Sequence, residues 1–202
     1  VVDPNTQVTV YAESAEGRGP ESALASIDEV NGDLRQKLGE AMGDIEANGK
    51  PLEQITTSNL DALRAYTRAN DAQKQGRMAD SRKLLERDPA FAMAYSARAS
   101  LATAANDYAS ARRDYASAIR LRDRLTLREA LRLDAWEASL ARPADALSKW
   151  KTVSAMFPDD YSAYYQYSRF NWAYFRRYAE AYEHLQPALT PKNPRLASAH
   201  YL

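Results

Sequence analysis

His184 and His200 are the two histidines of the chain, and it has no cysteine. The missing thiols remove disulfides, thiolate metal sites and cysteine nucleophiles from consideration. Neither histidine has an HExxH-like companion, and a lone helical His is more often structural or exposed than a ligand. Asp159-Asp160 follows Pro158 where a helix should start, a place where carboxylates cap free N–H groups. The sequence contains no Gly-rich phosphate loop and no GxSxG, and nothing in it pairs two carboxylates in a shielded site. No catalytic, cofactor-binding or metal-ligating residue is assigned on this reading. What remains is a series of cations: Arg120, Arg122, Arg124, Arg128 and Arg132. They suit an anion or an acidic peptide, but Asp123, Glu129 and Asp134 stand among them, which favours a solvated, self-compensated face.

The elements that would have to position such residues fit within 202 residues, enough for one large domain or two small ones. Lys and Arg number 27 against 27 Asp and Glu, so no net field draws the chain to nucleic acid or an anionic membrane. No stretch approaches the roughly 20 apolar residues that span a bilayer, and no membrane insertion is expected. The chain opens on Val1 within a strand-like run and closes on "RLASAHYL", the beginning of a helix. It reads as a piece of a longer protein, with any catalytic domain outside it.

Residues 1–11, "VVDPNTQVTVY", predict two short β segments around a turn at Asp3-Pro4-Asn5. From Glu21 to Ala47, Leu24, Ile27, Val30, Leu34, Leu38, Met42 and Ile45 recur every three or four positions, the apolar face of a helix. Gly32, Gly39 and Gly43 weaken that helix. Ser58 with Asp61 fits a capping box that opens a second helix running to about Gln75. From there the chain is rich in Ala, Leu, Arg and Glu with only brief interruptions, and it reads as all-α.

Self-similarity organises this helical part. Ala111, Ala146 and Ala181 recur in step with Tyr115, Trp150 and Leu185, and with Ala118, Val153 and Ala188. Tyr95, Ala99 and Asn106 precede the first of these sets, Leu133 the second and Tyr165 the third. Gly76, Met78, Ser81 and Leu85 start an earlier, shortened unit. Small residues at fixed places let helices approach, and bulky ones fill the spaces between them. This pattern resembles the tetratricopeptide repeat (TPR), a helix–turn–helix unit of about 34 residues. The resemblance implies a TPR-like superhelix of about three to four repeats over residues 58–202, cut short at its C-terminal end, after a short N-terminal β-hairpin and helix.

The N-terminal part carries a second resemblance. "LRQKLGE" (34–40), "PLEQITTSNLDALRAY" (51–66), "RDRLTLREALRLDAW" (122–136) and "KWKTVSAMFPD" (149–159) are similar to segments of large bacterial signalling proteins, peptide-modification-system cyclases above all. That likeness implies that residues 1–50 end a TolB-like α/β lobe, and that a cyclase, kinase or winged-helix output domain lies elsewhere. It leaves the compartment open between the cytoplasm and the periplasmic side of an anchored parent.

In the repeat register the concave face carries Tyr66, Asn70 and Lys74, then Arg128 and Arg132, and last Gln166, Phe170 and Tyr174. A small, mildly polar groove with aromatic ends suits an extended peptide or a partner helix. Chaperone-binding repeats grip a C-terminal carboxylate, and Asn70, Arg128 and Arg132 match that pattern while Tyr66 and Ala97 break it, so no such clamp is assigned. The expected function is a non-catalytic module that binds a protein, a peptide or a second copy of itself. The alternative is a small-molecule sensor controlling a distant output domain. Residues 161–178, "YSAYYQYSRFNWAYFRRY", hold close to half of the aromatic residues. The register assigns Tyr165, Trp172 and Tyr178 to the core, Tyr164, Tyr167 and Phe175 to helix contacts, and Phe170 and Tyr174 to the groove.

Overall fold

The computed structural model describes residues 6–40, 51–57, 59–75, 77, 79–80, 83, 85, 88–193 and 196–201, less the side chains of 20, 53, 55, 73, 74 and 198. The chain divides into two units, Val1–Phe91 and Ala92–Leu202.

In the first unit, the expected turn at Asp3-Pro4-Asn5 lies outside the described residues. Residues 6–17 are irregular, with one isolated bridge position at Thr9, and the expected β-hairpin is not seen among the described residues. Val8 and Val10 are 60% and 52% exposed. A lone two-stranded ribbon with no buried face has little to hold it. Helix α1 (Ala23–Lys37) begins near its expected start but stops well before Ala47. The reason is Gly39, whose φ of +93° carries the chain out of the helix. Glu40 N–H donates to Arg35 C=O at 3.1 Å and Gly39 N–H to Gln36 C=O at 3.0 Å, the paired bonds of a Schellman end. Met42, Gly43 and Ile45 lie outside the described residues. Asp28 of α1 accepts the Leu52 N–H at 2.8 Å and so ties α1 to the short helix α2 (Leu52–Ile55). Helix α3 (Leu60–Lys74) is capped by Asn59, whose side chain accepts the Ala62 N–H at 3.1 Å. The cap expected at Ser58 lies outside the described residues, as do Gly76, Met78 and Ser81. Ala62, Ala65, Ala69 and Ala72 form the buried stripe of α3.

The second unit is a run of helical hairpins: α4 (Ala92–Ala104) with α5 (Tyr108–Arg120), α6 (Leu127–Ala138) with α7 (Pro143–Met156), and α8 (Tyr161–Phe170) with α9 (Tyr178–Leu185). A short α10 (Leu196–His200) follows. Local chemistry sets the turns. Asn106 adopts a left-handed φ of +60°, which Asn tolerates better than most residues. Asp107 then accepts the Ser110 N–H at 3.0 Å to start α5, the usual service of an N-cap carboxylate. Thr126 and Glu129 close a reciprocal capping box that starts α6, and Pro143 opens α7.

The small–large–small core positions of the second helix in each repeat hold through this unit. Ala111, Ala146, Tyr115, Trp150, Ala118, Val153 and Ala188 are all 0% exposed, while Ala181 and Leu185 are buried at 6%. One core cluster joins α4, α5 and α6 around Tyr115 and Leu133. A second joins α6, α7 and α8 around Trp150, Tyr167 and Phe170. Trp150 meets Trp136 edge to face at 5.1 Å and donates its indole N–H to Ser139 Oγ at 3.1 Å, so the buried ring keeps its polar handle satisfied.

The aromatic stretch departs from its expected register: Gln166 and Phe170, assigned to the groove, are buried, and beyond Phe170 the helix changes form. Residues Asn171–Phe175 form a π-helical turn, and Arg176 closes it with a φ of +54°. The wider turn displaces the side chains within it relative to an α-helix. Within it Asn171 is 0% exposed while Trp172, expected in the core, is 50% exposed. Tyr178, also expected in the core, opens α9 after this break and is 56% exposed, as its repeat counterpart Tyr108 is at 47%.

Candidate functional site

The capping box at Thr126 fixes where α6 begins, and with it the direction of Arg128 and Arg132. These residues are one helical turn apart and share a face. Opposite them lies the turn between α7 and α8. Arg128 forks onto Asp159 through two bonds of 2.9 and 2.8 Å, the bidentate geometry that a guanidinium offers a carboxylate. The same guanidinium lies over the Phe157 ring at 4.6 Å. It also holds the Asp159 carboxyl below the usual carboxylate range. Arg132 approaches the buried Asp160 with its Nε at 3.5 Å. Asp160 occupies the N-cap position of α8 without accepting a capping bond from its side chain. The helix-capping role expected for this Asp pair thus gives way to ion pairing across the hairpins, because the two arginines are within reach.

Together these four residues, with Tyr161, Ser162 and Asn193, line a recess of about 240 Å³. Asn193 is buried and fixed by donating from Nδ2 to Ala188 C=O at 2.8 Å. Two arginines answered by two aspartates leave the recess close to neutral. It suits groups that hydrogen-bond, such as a peptide backbone or a small polar molecule, better than a bare anion. The rest of the arginine series is also engaged. Arg122 binds Asp134 at 2.6 Å and Ala130 C=O at 3.1 Å, and Glu129 is used in the α6 cap.

The remaining candidates are scattered. Tyr66 and Asn70 are half-buried on α3 in the first unit, with Tyr66 against Phe91 at 5.1 Å between ring centroids. The Lys74 side chain lies outside the described residues. Gln166 is buried and accepts from Arg169 Nε at 2.9 Å. Phe170, expected on the groove, is 0% exposed and belongs to the second core cluster. Tyr174 is 54% exposed and stacks on Phe170 at 5.1 Å with the planes 18° apart. Phe170 is therefore the support for Tyr174, and Tyr174 alone of the aromatic pair faces outward.

A second constellation was not singled out from the sequence. His184 Nε2 lies 3.0 Å from Ser154 Oγ, and its ring sits between Tyr167 and Tyr164 at 4.1 and 5.3 Å. The Tyr167 hydroxyl donates to Glu180, and the Tyr164 hydroxyl to Ser154 C=O at 3.3 Å. Ser154 is 2% exposed, and the nearby carboxylate is occupied by Tyr167. This is therefore not a nucleophile–base pair open to substrate. The repeat register was the available signal, since it sets Val153 and Leu185 in core positions beside these two residues. Among the described residues no group of three metal-ligating side chains occurs, and no helix is long and apolar enough to cross a membrane.

No family model and no curated protein matches the chain. Among solved structures it is similar to a crystal structure of MamA at 17% identity, covering 83% of this chain and 96% of that one with a TM-score of 0.44. A crystal structure of MamA protein aligns at 18% identity over 88% and 96% of the two chains, with a TM-score of 0.43. Superpositions this loose carry no argument about function, which rests on the chain's own geometry.

Proposed function

We propose that the chain is a non-catalytic, TPR-like module that binds a protein, a peptide or a second copy of itself. The observation that carries this reading is the set of exposed aromatic residues on the α8–α9 hairpin. Trp172, Tyr174, Tyr178 and Tyr182 are each half or more exposed, while Tyr167 and Phe170 in the same hairpin are buried. Large aromatics left in water above a closed core are the composition of a contact surface. Tyr174, Arg128 and Arg132 are the contact residues in the second unit, with Tyr66, Asn70 and Lys74 as contacts in the first. In the wider reading the module serves a bacterial signalling protein whose output domain is a cyclase or kinase. The test is to titrate a degenerate pool of extended peptides and to raise the protein's own concentration. Indole shifts and sedimentation are followed for wild type and Tyr174→Ala. A response in either arm, weakened by the variant, supports the module; silence in both arms refutes it.

The recess between α6 and the α7–α8 turn favours a second reading, a small-molecule sensor that acts on the output domain. A polar metabolite held there raises the melting temperature by mass action, and Arg132→Gln removes that rise.

A further inference from the structure

We propose that His184 is a proton-sensitive latch that holds α9 against α7 and α8 near neutral pH and lets it go as the solution becomes acidic. His184 sits in the last turn of α9, and its imidazole reaches across to Ser154 of α7 at 3.0 Å while filling the space between Tyr164 and Tyr167 of α8. One side chain thus joins three helices, and it is half-buried where it does so.

Charged and titratable groups face the ring from each helix packed against it. Lys151 on α7 repels a proton on the ring and Glu180 on α9 attracts one. The two tyrosines of α8 are neutral phenols at these pH values. Glu180 is already engaged by the Tyr167 hydroxyl and by Arg177 at 3.8 Å, which weakens its pull on the imidazole. From α10 the neighbouring cluster receives Ala199, which carries no charge. Burial is the largest influence, ahead of Lys151, and it moves the His184 pKa below the ordinary imidazole value. Stability from this site is therefore full above about 6.5, the unfolded value, and is lost as pH falls through the lowered folded value. The hydrogen bond itself can reverse. Ser154 Oγ also lies 3.0 Å from Lys151 C=O and can donate there while accepting from the ring. The acid state is thus opposed by charge and desolvation rather than by a lost bond.

The test is amide hydrogen exchange on the whole chain at about pH 7.5 and about pH 5, bracketing imidazole titration, with intrinsic rates divided out. Residues 178–185 are expected to lose protection severalfold in acid while residues 108–120 keep theirs, and His184→Gln is expected to abolish the difference. Should the glutamine variant unfold, the His184 ring is titrated by NMR in the wild type, where a midpoint below the ordinary imidazole value is expected. The latch is overturned if α9 protection ignores pH or if α5 loses protection equally. It is also overturned if His184→Gln keeps the acid response or the ring titrates at or above the ordinary value.

Discussion

Phe170 and Tyr174 are four residues apart in a single aromatic run, yet removing their rings should have very different consequences. Phe170 is 0% exposed in a cluster with Ala163, Tyr167 and Trp150, and its face carries the Arg169 guanidinium at 4.8 Å. Returning a fully buried side chain of this size to water accounts for about 1.5–3 kcal/mol. The cavity left among helices that cannot fully collapse raises the cost of Phe170→Ala to about 3–5 kcal/mol. Tyr174 is 54% exposed and has its stacked contact with Phe170 to lose. Tyr174→Ala should therefore cost about 1 kcal/mol, the worth of one aromatic pair. The first figure is a large share of the roughly 5–15 kcal/mol that stabilises a domain.

The three tryptophans, Trp136, Trp150 and Trp172, all lie in the second unit, so their fluorescence follows the unfolding of that unit in urea. With a slope of about 2 kcal/mol per molar, Phe170→Ala should lower the midpoint by about 2 M and Tyr174→Ala by about 0.5 M. Binding responses should divide the opposite way: Tyr174→Ala weakens partner contact in a protein that still folds. A Phe170→Ala variant within about 0.5 kcal/mol of wild type would refute the core assignment and return this ring to the groove.

Three further outcomes follow from the geometry. Asp159→Asn should leave the melting temperature nearly unchanged, because the pair it breaks is solvent-exposed. It should also create anion affinity at the released Arg128, read by sulfate titration. The φ of Asn106 is +60°, so Asn106→Ala should destabilise the α4–α5 turn while Asn106→Gly is neutral or better. The alanine cost by urea midpoint should fall below the ~1–2 kcal/mol that any Cβ pays in left-handed backbone, because asparagine carries a Cβ too and only its better tolerance of this region is lost. Opening the α6 capping box is the effect of Thr126→Ala. Its cost, on the same assay, should be about 0.5–2 kcal/mol.

What was legible in the sequence depended on whether a local rule continued. Ala111, Tyr115 and Ala118 and their counterparts one and two repeats later could be assigned to the core because burial there follows from the spacing of small and large residues. Their exposures of 0–6% agree with it. The same counting failed at Trp172 because it assumes a constant helical pitch. A π turn beginning at Asn171 changes the pitch, and nothing in "NWAYF" announces it. The opposite failure occurred at Asp159-Asp160. Their position before a helix is a valid local reason to expect capping, but Arg128 and Arg132, a hairpin away, offer full charges that outcompete a partial helix dipole. The His184–Ser154 contact spans 30 residues and is invisible to any local pattern. Its two partners become neighbours only once the repeat places α9 beside α7. Core positions are thus periodic and readable, whereas the recess and the histidine cluster arise where side chains of different hairpins meet. The places to look for function in such a chain are therefore those where a residue departs from its repeat role.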